Sequence, residues 1–393
     1  MPALETPIPV NPSMLRWARE DAGFSLVEAA MQAKLAGCRA TKERPGIDPA
    51  ERLGMLERGE LGVTRNLLAT LSKLYRRPEI FFFLSKPPHK KDLLLDYRTV
   101  GSVAPQDSPE FAALKRRVVN IQRSLKQLAE EQNSPPLPFV GTINLFTSVK
   151  VAVECIRAVI GGDLRKSRRT WSADAYFKEL RKKVHEAGVF VILIGDLGSH
   201  HSKIPVEIFR GMAISCSRAP IIVINPNDAV TGRIFTLIHE LCHVLLGVSV
   251  ISNSDVPVIS KEARQEEQFC HAVAAEFLVP AEDLAKENFG DKAPPVFDTL
   301  GKQYGVSAAV IARRARDLKL ISNEDFNKVT PIFMARRPKE RSGQPNPNVT
   351  AKSYLGDKLV STLVGAAYEG KIDISDAVYL LNLSTSRIEK IYQ

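Results

Sequence analysis

The sequence predicts a mainly α-helical chain carrying one small β-sheet, an α+β class, on three observations. Short, wholly apolar runs of strand length stand at 190–194 (FVILI), 211–215 (GMAIS) and 221–224 (IIVI). A single longer apolar stretch follows them at 234–247 (IFTLIHELCHVLLG), and it is long enough only for a buried helix. Most other segments are helical in period, with Ser, Asp or Pro at their starts and Gly at several ends.

At 393 residues and 44% hydrophobic content the chain is expected to form two to four domains with ordinary cores. No apolar run approaches the ~20 residues of a membrane span. The start of the chain has no basic segment followed by an apolar run and a cleavage site, so a cytoplasmic protein without a membrane partner is expected. The five cysteines (Cys38, Cys155, Cys216, Cys242 and Cys270) are odd in number, dispersed and free of CxxC spacing. That excludes a disulfide framework and a cysteine zinc finger, and reads as reduced thiols. A net charge of +10 permits attraction to nucleic acid. Its clusters, at 115–117, 165–169 and 181–183, read singly as solvated helix faces.

Taken in order, residues 1–11 are Pro-rich and read as an arm. Two short helical patterns follow, with Leu15 and Ala18 on one face, a stop at Gly23, and Ser25 with Glu28 forming a capping box for the second. After a loop rich in Lys, Arg and Gly, Pro49 opens AERLGMLERGE, and TRNLLATLSKLYRRP supplies a further helix that ends before Pro78. The stretch 12–86 resembles the helix-turn-helix of the Cro/repressor (XRE-like) type, on Trp17 and Ala18, Ala29 and Ala30, LERGE at 56–60, and Leu71, Leu74 and Tyr75. The resemblance implies a DNA-reading helix with Glu51, Arg52 and Met55 near bases and Arg58 and Arg65 near phosphates. The chain departs from the pattern by inserting about a dozen residues before that helix. Arg39, Lys42 and Arg44 in the insert are candidate phosphate contacts, and a module used for protein contacts is the competing reading.

Residues 87–190 read as a helical connecting region, with a boundary near 87–98 and the tetrapeptide DYRT at 96–99. Its longest pattern, from Ser108 to Asn133, has Phe111, Leu114, Val118, Ile121, Leu125 and Leu128 as an apolar stripe. Such stripes are core contacts.

The core expected at 191–322 is built around HELCH. His239 and His243, four apart, fall on one helix face and can point at one ion, and Glu240 between them can take a proton from water. The strand at 221–224, the turn Asn225–Pro226–Asn227, Asp228 as a cap and Gly247 as a stop give the motif its context. Catalytic zinc normally takes three protein ligands, so a third is sought downstream. The helical segment 262–280 (EARQEEQFCHAVAAEFLVP) offers Glu262, Glu266, Glu267, His271 and Glu276. Glu267 and His271 share one face a turn apart, and spacing alone allows either to bind with the other in support. Cys242 and Cys270 read as buried small apolar groups, with lining of the metal pocket as the alternative, and His200 and His201 as exposed loop histidines.

The residues PVEIFRGMAIS, RAPIIVINPNDAVTGRIFTLIHELCHVLLG and EEQFCHAVAAEFLVP resemble the ImmA/IrrE family of metallopeptidases over about 205–316. The resemblance implies a zincin-like core binding Zn2+ through His239, His243 and Glu267, with Glu240 as the catalytic carboxylate. His271, where that family often has Asn or Asp, is expected in support of a ligand. It also implies a protein substrate such as a DNA-binding repressor, with an extended segment held by strand addition to GMAIS.

Downstream, 297–322 reads as helix, turn at Gly305 and helix capped by Ser307, packed on the core. A basic linker at 335–350 and a small C-terminal helical domain at 351–393 complete the chain. The expected whole is a regulatory zinc endopeptidase of bacterial or phage type with a DNA-binding module, in a chain that is a candidate homodimer. The competing whole is a DNA-binding regulator or antitoxin-like repressor whose zincin-like domain senses a ligand or partner without proteolysis.

Overall fold

The computed structural model describes residues 7–37, 46–75, 77, 79–86, 109–164, 171–197, 202–252, 261–335 and 353–392. The fold is mostly helical with one small sheet. The chain divides into two compact units, residues 1–93 with 103–116, and residues 94–102 with 117–393.

The first unit is a bundle of α1 (Pro12–Asp21), α2 (Leu26–Gln32), α3 (Pro49–Arg58) and α4 (Arg65–Tyr75), with a 3-10 turn at Glu79–Phe83. Ser25 and Glu28 form the expected capping box at α2, and Asp48 accepts from the Ala50 and Glu51 amides ahead of Pro49 at α3. Leu15, Ala18, Ala29, Leu53, Leu56, Leu68, Leu71 and Tyr75 form its core. One ion pair is buried in it: Arg19 Nε donates to Glu57 Oε1 at 2.7 Å, and the guanidinium also donates to the Phe24 carbonyl. Contrary to a free arm, residues 8–11 are tied to the bundle. The Ile8 amide donates to Val63 O at 2.8 Å and the Asn11 amide to Phe82 O at 2.8 Å, because Ile8 and Val10 have apolar surface to pack there. The insert arginines and lysine, the 87–98 boundary and DYRT lie outside the described residues.

In the second unit, α5 (Pro109–Glu131), of which residues 117–131 belong here, buries Val118, Ile121, Leu125 and Leu128 as its stripe predicts. It is followed by α6 (Val149–Val159) and α7 (Ala173–Glu186). The strands β1 (Phe190–Leu193), β2 (Gly211–Ile214), β3 (Ile221–Ile224) and β4 (Val250–Ser252) form a sheet in the order β1-β3-β2-β4. β1 lies parallel to β3, while β2 runs antiparallel to both β3 and β4. Wholly buried strands explain why β1, β2 and β3 read as continuous apolar runs rather than alternating ones.

Register puts Val191, Ile222 and Ala213 in one row and Leu193, Ile224 and Gly211 in the next. That face of the sheet packs against α8 (Val230–Leu246), the helix that carries HELCH. The same apolar core takes in α6, α7, α9 (Lys261–Leu278), α11 (Pro294–Tyr304), α12 (Ala308–Asp317) and α13 (Asn323–Met334), with the short α10 (Ala281–Leu284) between α9 and α11. Residues of the expected connecting region, such as Ile156, Phe177 and Val184, thus share a core with α8.

The last helices are α14 (Asp357–Tyr368), α15 (Ile374–Leu381) and α16 (Thr385–Tyr392), and hydrogen bonds to main-chain carbonyls join this segment to the rest of the unit. Arg181 donates to the carbonyls of Val191, Ser353 and Tyr354, Arg117 to that of Leu380 at 3.0 Å, and Asn382 Nδ2 to that of Leu197 at 3.2 Å. Burial lowers both arginines to about 10. Linker residues 336–350 lie outside the described residues.

Candidate metal centre

α8 is buried along almost its whole length, which is why its sequence is apolar on every side. Its start differs from expectation: Ala229 is the N-cap, and Asp228 serves Arg210 instead, accepting from Nη1 at 3.1 Å. Burial raises the Asp228 pKa above the ordinary value. At the other end Gly247 takes the left-handed conformation (φ 75°) and stops the helix as predicted. A preceding loop clasps that end: the Gly141 amide donates to Val244 O at 3.2 Å and the Ile143 amide to Leu245 O at 3.2 Å. The two glycines meet so closely that a Cβ on Gly247 would stand 3.1 Å from Gly141 Cα.

His239, Glu240 and His243 are 3%, 0% and 0% exposed. α9 packs alongside and brings Glu267 to both imidazoles. His239 Nε2 lies 3.1 Å from Glu267 Oε2, His243 Nε2 lies 3.3 Å from Glu267 Oε1, and the two Nε2 atoms are 3.1 Å apart. Three donor atoms at these separations match the edges of a zinc tetrahedron, which bonds of 2.0–2.1 Å make about 3.3 Å long. The residues present therefore fit a metal ion, with two neutral nitrogens and one carboxylate as its donor set.

Electrostatics agree. Burial opposes charge on Glu267, but hydrogen bonds from His239 and His243 and their charge outweigh it and hold the carboxyl well below the usual range. Burial likewise opposes a charged His239, yet Glu267 and then Glu240 raise its pKa, whereas burial dominates at His243 and lowers it.

Among the other candidates, Glu262 is exposed and Glu266 is buried in the helix packing. Glu276 is committed to Arg314 and to the Ala281 amide. His271 stands a turn beyond Glu267, and the ligand atoms of His239, Glu267 and His271 lie within 4.8 Å of one another. Its ring packs against His239, with centroids 4.6 Å apart at 55°, and against Phe235 at 5.5 Å. Burial, then the charge of His239, lowers His271 to about 3. His200 and His201 lie outside the described residues.

Of two further contributors, Cys270 follows the pocket-lining alternative of the sequence reading, and Gly211 escaped it. Cys270, fully buried, sits with its Sγ 3.5 Å from His243 Nδ1. Gly211 of β2 lies against Glu240, and a Cβ there would come 2.6 Å from Glu240 Oε1 and also strike Thr236 Cγ2. A glycine at a helix-facing position of an apolar strand was the available signal. β2 also differs from expectation in being hydrogen-bonded on both sides, by β3 and by β4, so GMAIS has no edge left for strand addition.

The DNA-contact candidates are scattered in their commitments. Arg58 Nη2 donates to Glu51 at 2.8 Å and its Nε to Glu60 at 2.7 Å, and Arg52 Nη1 donates to Ala36 O at 2.6 Å. Met55 is half-buried and Arg65 is exposed at the start of α4.

A small sheet backs a buried helix whose His/His/Glu cluster fits a metal ion. Residues 195–316 match the family model described as the IrrE N-terminal-like domain, Peptidase_M78. A comparison with curated proteins gives no match. No helix among the described residues is long and apolar enough to cross a membrane.

Proposed function

We propose that the chain is a regulatory zinc metallo-endopeptidase that hydrolyses a peptide bond in a protein partner, a DNA-binding repressor being the favoured class. The observation that carries this reading is the 3.1–3.3 Å triangle of His239, His243 and Glu267 beside the buried carboxylate of Glu240. The peptidase family match over the same residues supports it.

His239, His243 and Glu267 would hold the ion. Zinc bound there supplies Lewis-acid polarisation of a carbonyl and acidifies water. Glu240 accepts the proton of the attacking water and passes it to the leaving amine as the C–N bond breaks, which yields one carboxylate and one amine. Gly211 lets β2 lie close enough to limit where that carboxylate can go. Cys270 faces the second nitrogen of His243 and orients its ring.

Co-expression of candidate repressors with the wild type or Glu240→Gln tests the reading. Cleavage by the wild type alone is expected, and equal cleavage by the variant would overturn the assigned chemistry.

The N-terminal bundle is proposed as an XRE-like DNA-binding module. Arg65 is an exposed cation at the start of α4, while Arg58 must exchange Glu51 and Glu60 for phosphate to take part. Binding to DNA from the protein's own promoter should weaken steeply with salt. Absence of binding at low salt would favour a protein-contact role for the module.

A further inference from the structure

We propose that His271 is a substrate-contacting catalytic residue, whose ring N–H donates a hydrogen bond to the scissile carbonyl oxygen as that oxygen gains negative charge. The proposal rests on the peptidase reading and deepens it. Three features of the site carry it.

The first is position. α9 sets His271 one turn from Glu267 on the same face, and its ligand atom falls within 4.8 Å of those of Glu267 and His239. Yet His271 joins none of the three 3.1–3.3 Å contacts that define the triangle. It therefore stands beside the donor set without sharing its closest contacts, near enough to face a group brought to the same centre.

The second is access. His239 and His243 are 3% and 0% exposed, whereas His271 keeps surface open to solvent even though its ring is largely enclosed by the site. Of the three imidazoles, it is the one that solvent reaches.

The third is fixation. The ring leans on His239 at 4.6 Å and on Phe235 at 5.5 Å, so two aromatic neighbours set its plane before substrate binds. A donor already aimed at developing charge costs no reorganisation during the reaction.

Ring packing alone is the competing explanation, and paired variants separate the two. His271→Phe keeps the stacking and removes the N–H, while His271→Asn removes the stacking and keeps an N–H donor. The experiment uses the zinc-loaded full chain and three readouts. They are cleavage of a peptide library, affinity for N-phosphorylleucinamide as a tetrahedral phosphoryl mimic, and zinc affinity by chelator competition.

For His271→Phe, a fall of about 100- to 1,000-fold in kcat with little change in KM is expected. Affinity for the phosphoryl mimic should weaken by about 10- to 100-fold, with zinc affinity within about threefold of wild type. His271→Asn should recover part of both losses. Unchanged kcat and mimic affinity in His271→Phe would overturn the proposal, as would a loss of zinc affinity equal to the loss of mimic affinity. A wild type that neither cleaves nor binds the mimic would instead refute the peptidase reading, and the proposal with it.

Discussion

Gly211 and Glu240 are in such close apposition that the backbone of β2 forms one wall of the carboxylate's pocket, with 2.6 Å between Oε1 and the place a Cβ would occupy. Strand and helix carry the relationship jointly: register turns Gly211 toward α8, and α8 turns Glu240 toward the sheet.

Gly211→Ala should therefore injure both stability and chemistry. The methyl meets Thr236 Cγ2 and Glu240 within a packed layer, an overpacking cost of about 1–3 kcal/mol. Denaturant unfolding should show that loss, and hydrolysis by the folded fraction should fall because Glu240 is displaced. Wild-type activity per folded molecule would show that the contact relaxes harmlessly.

Glu240→Gln and Glu267→Gln should separate proton transfer from metal retention. The first is expected to keep zinc and lose about 100- to 10,000-fold in rate. The second removes the charge that meets both imidazoles and should lose zinc, measured as metal content after dialysis against a chelator.

His185 gives the fold an acid-sensitive point away from the centre. Burial, then the charges of Arg181 and Lys358, lower its pKa to about 4, against ~6.5 in the unfolded chain. The unfolded state then binds more protons between these values, so stability rises with pH across that window and is lost as pH falls through it. A contribution on the order of 1–3 kcal/mol should disappear in His185→Gln, flattening the profile from about pH 6.5 to 4 in urea titrations.

Arg181→Met should loosen the C-terminal helices. It leaves the carbonyls of Val191, Ser353 and Tyr354 without their shared donor, at a cost of about 2–4 kcal/mol. Limited proteolysis should then cut near residue 353 sooner than in the wild type. An unchanged digestion pattern would mean that the helices are held by their apolar contacts instead.

Much of the candidate site was legible because it is local. Spacing of four put His239 and His243 on one face, and Gly247 marked the helix end. Ser25 with Glu28 marked a cap in the same way. What depends on two segments meeting was harder to read. Whether Glu267 or His271 met the imidazoles was open from spacing, and the packing of α9 on α8 puts the Glu267 carboxylate within 3.3 Å of both while laying the His271 ring against His239. The position of β2 inside the sheet depended on β4, three residues (VIS) too short to announce themselves. Asp228 looked like a cap by type, but its carboxylate found Arg210, eighteen residues back across the β2–β3 hairpin.

The clasp of Gly141 and Ile143 on the end of α8 bears on what becomes of the helix when metal is removed. Helices fray from their last turn, where carbonyls lack partners. Here two of those carbonyls, one and two residues beyond His243, are occupied by a segment about a hundred residues upstream. The helix should consequently keep its ligands in register whether or not an ion is held. Removing and restoring metal should therefore leave the helical content unchanged, measured by far-UV circular dichroism before and after chelation.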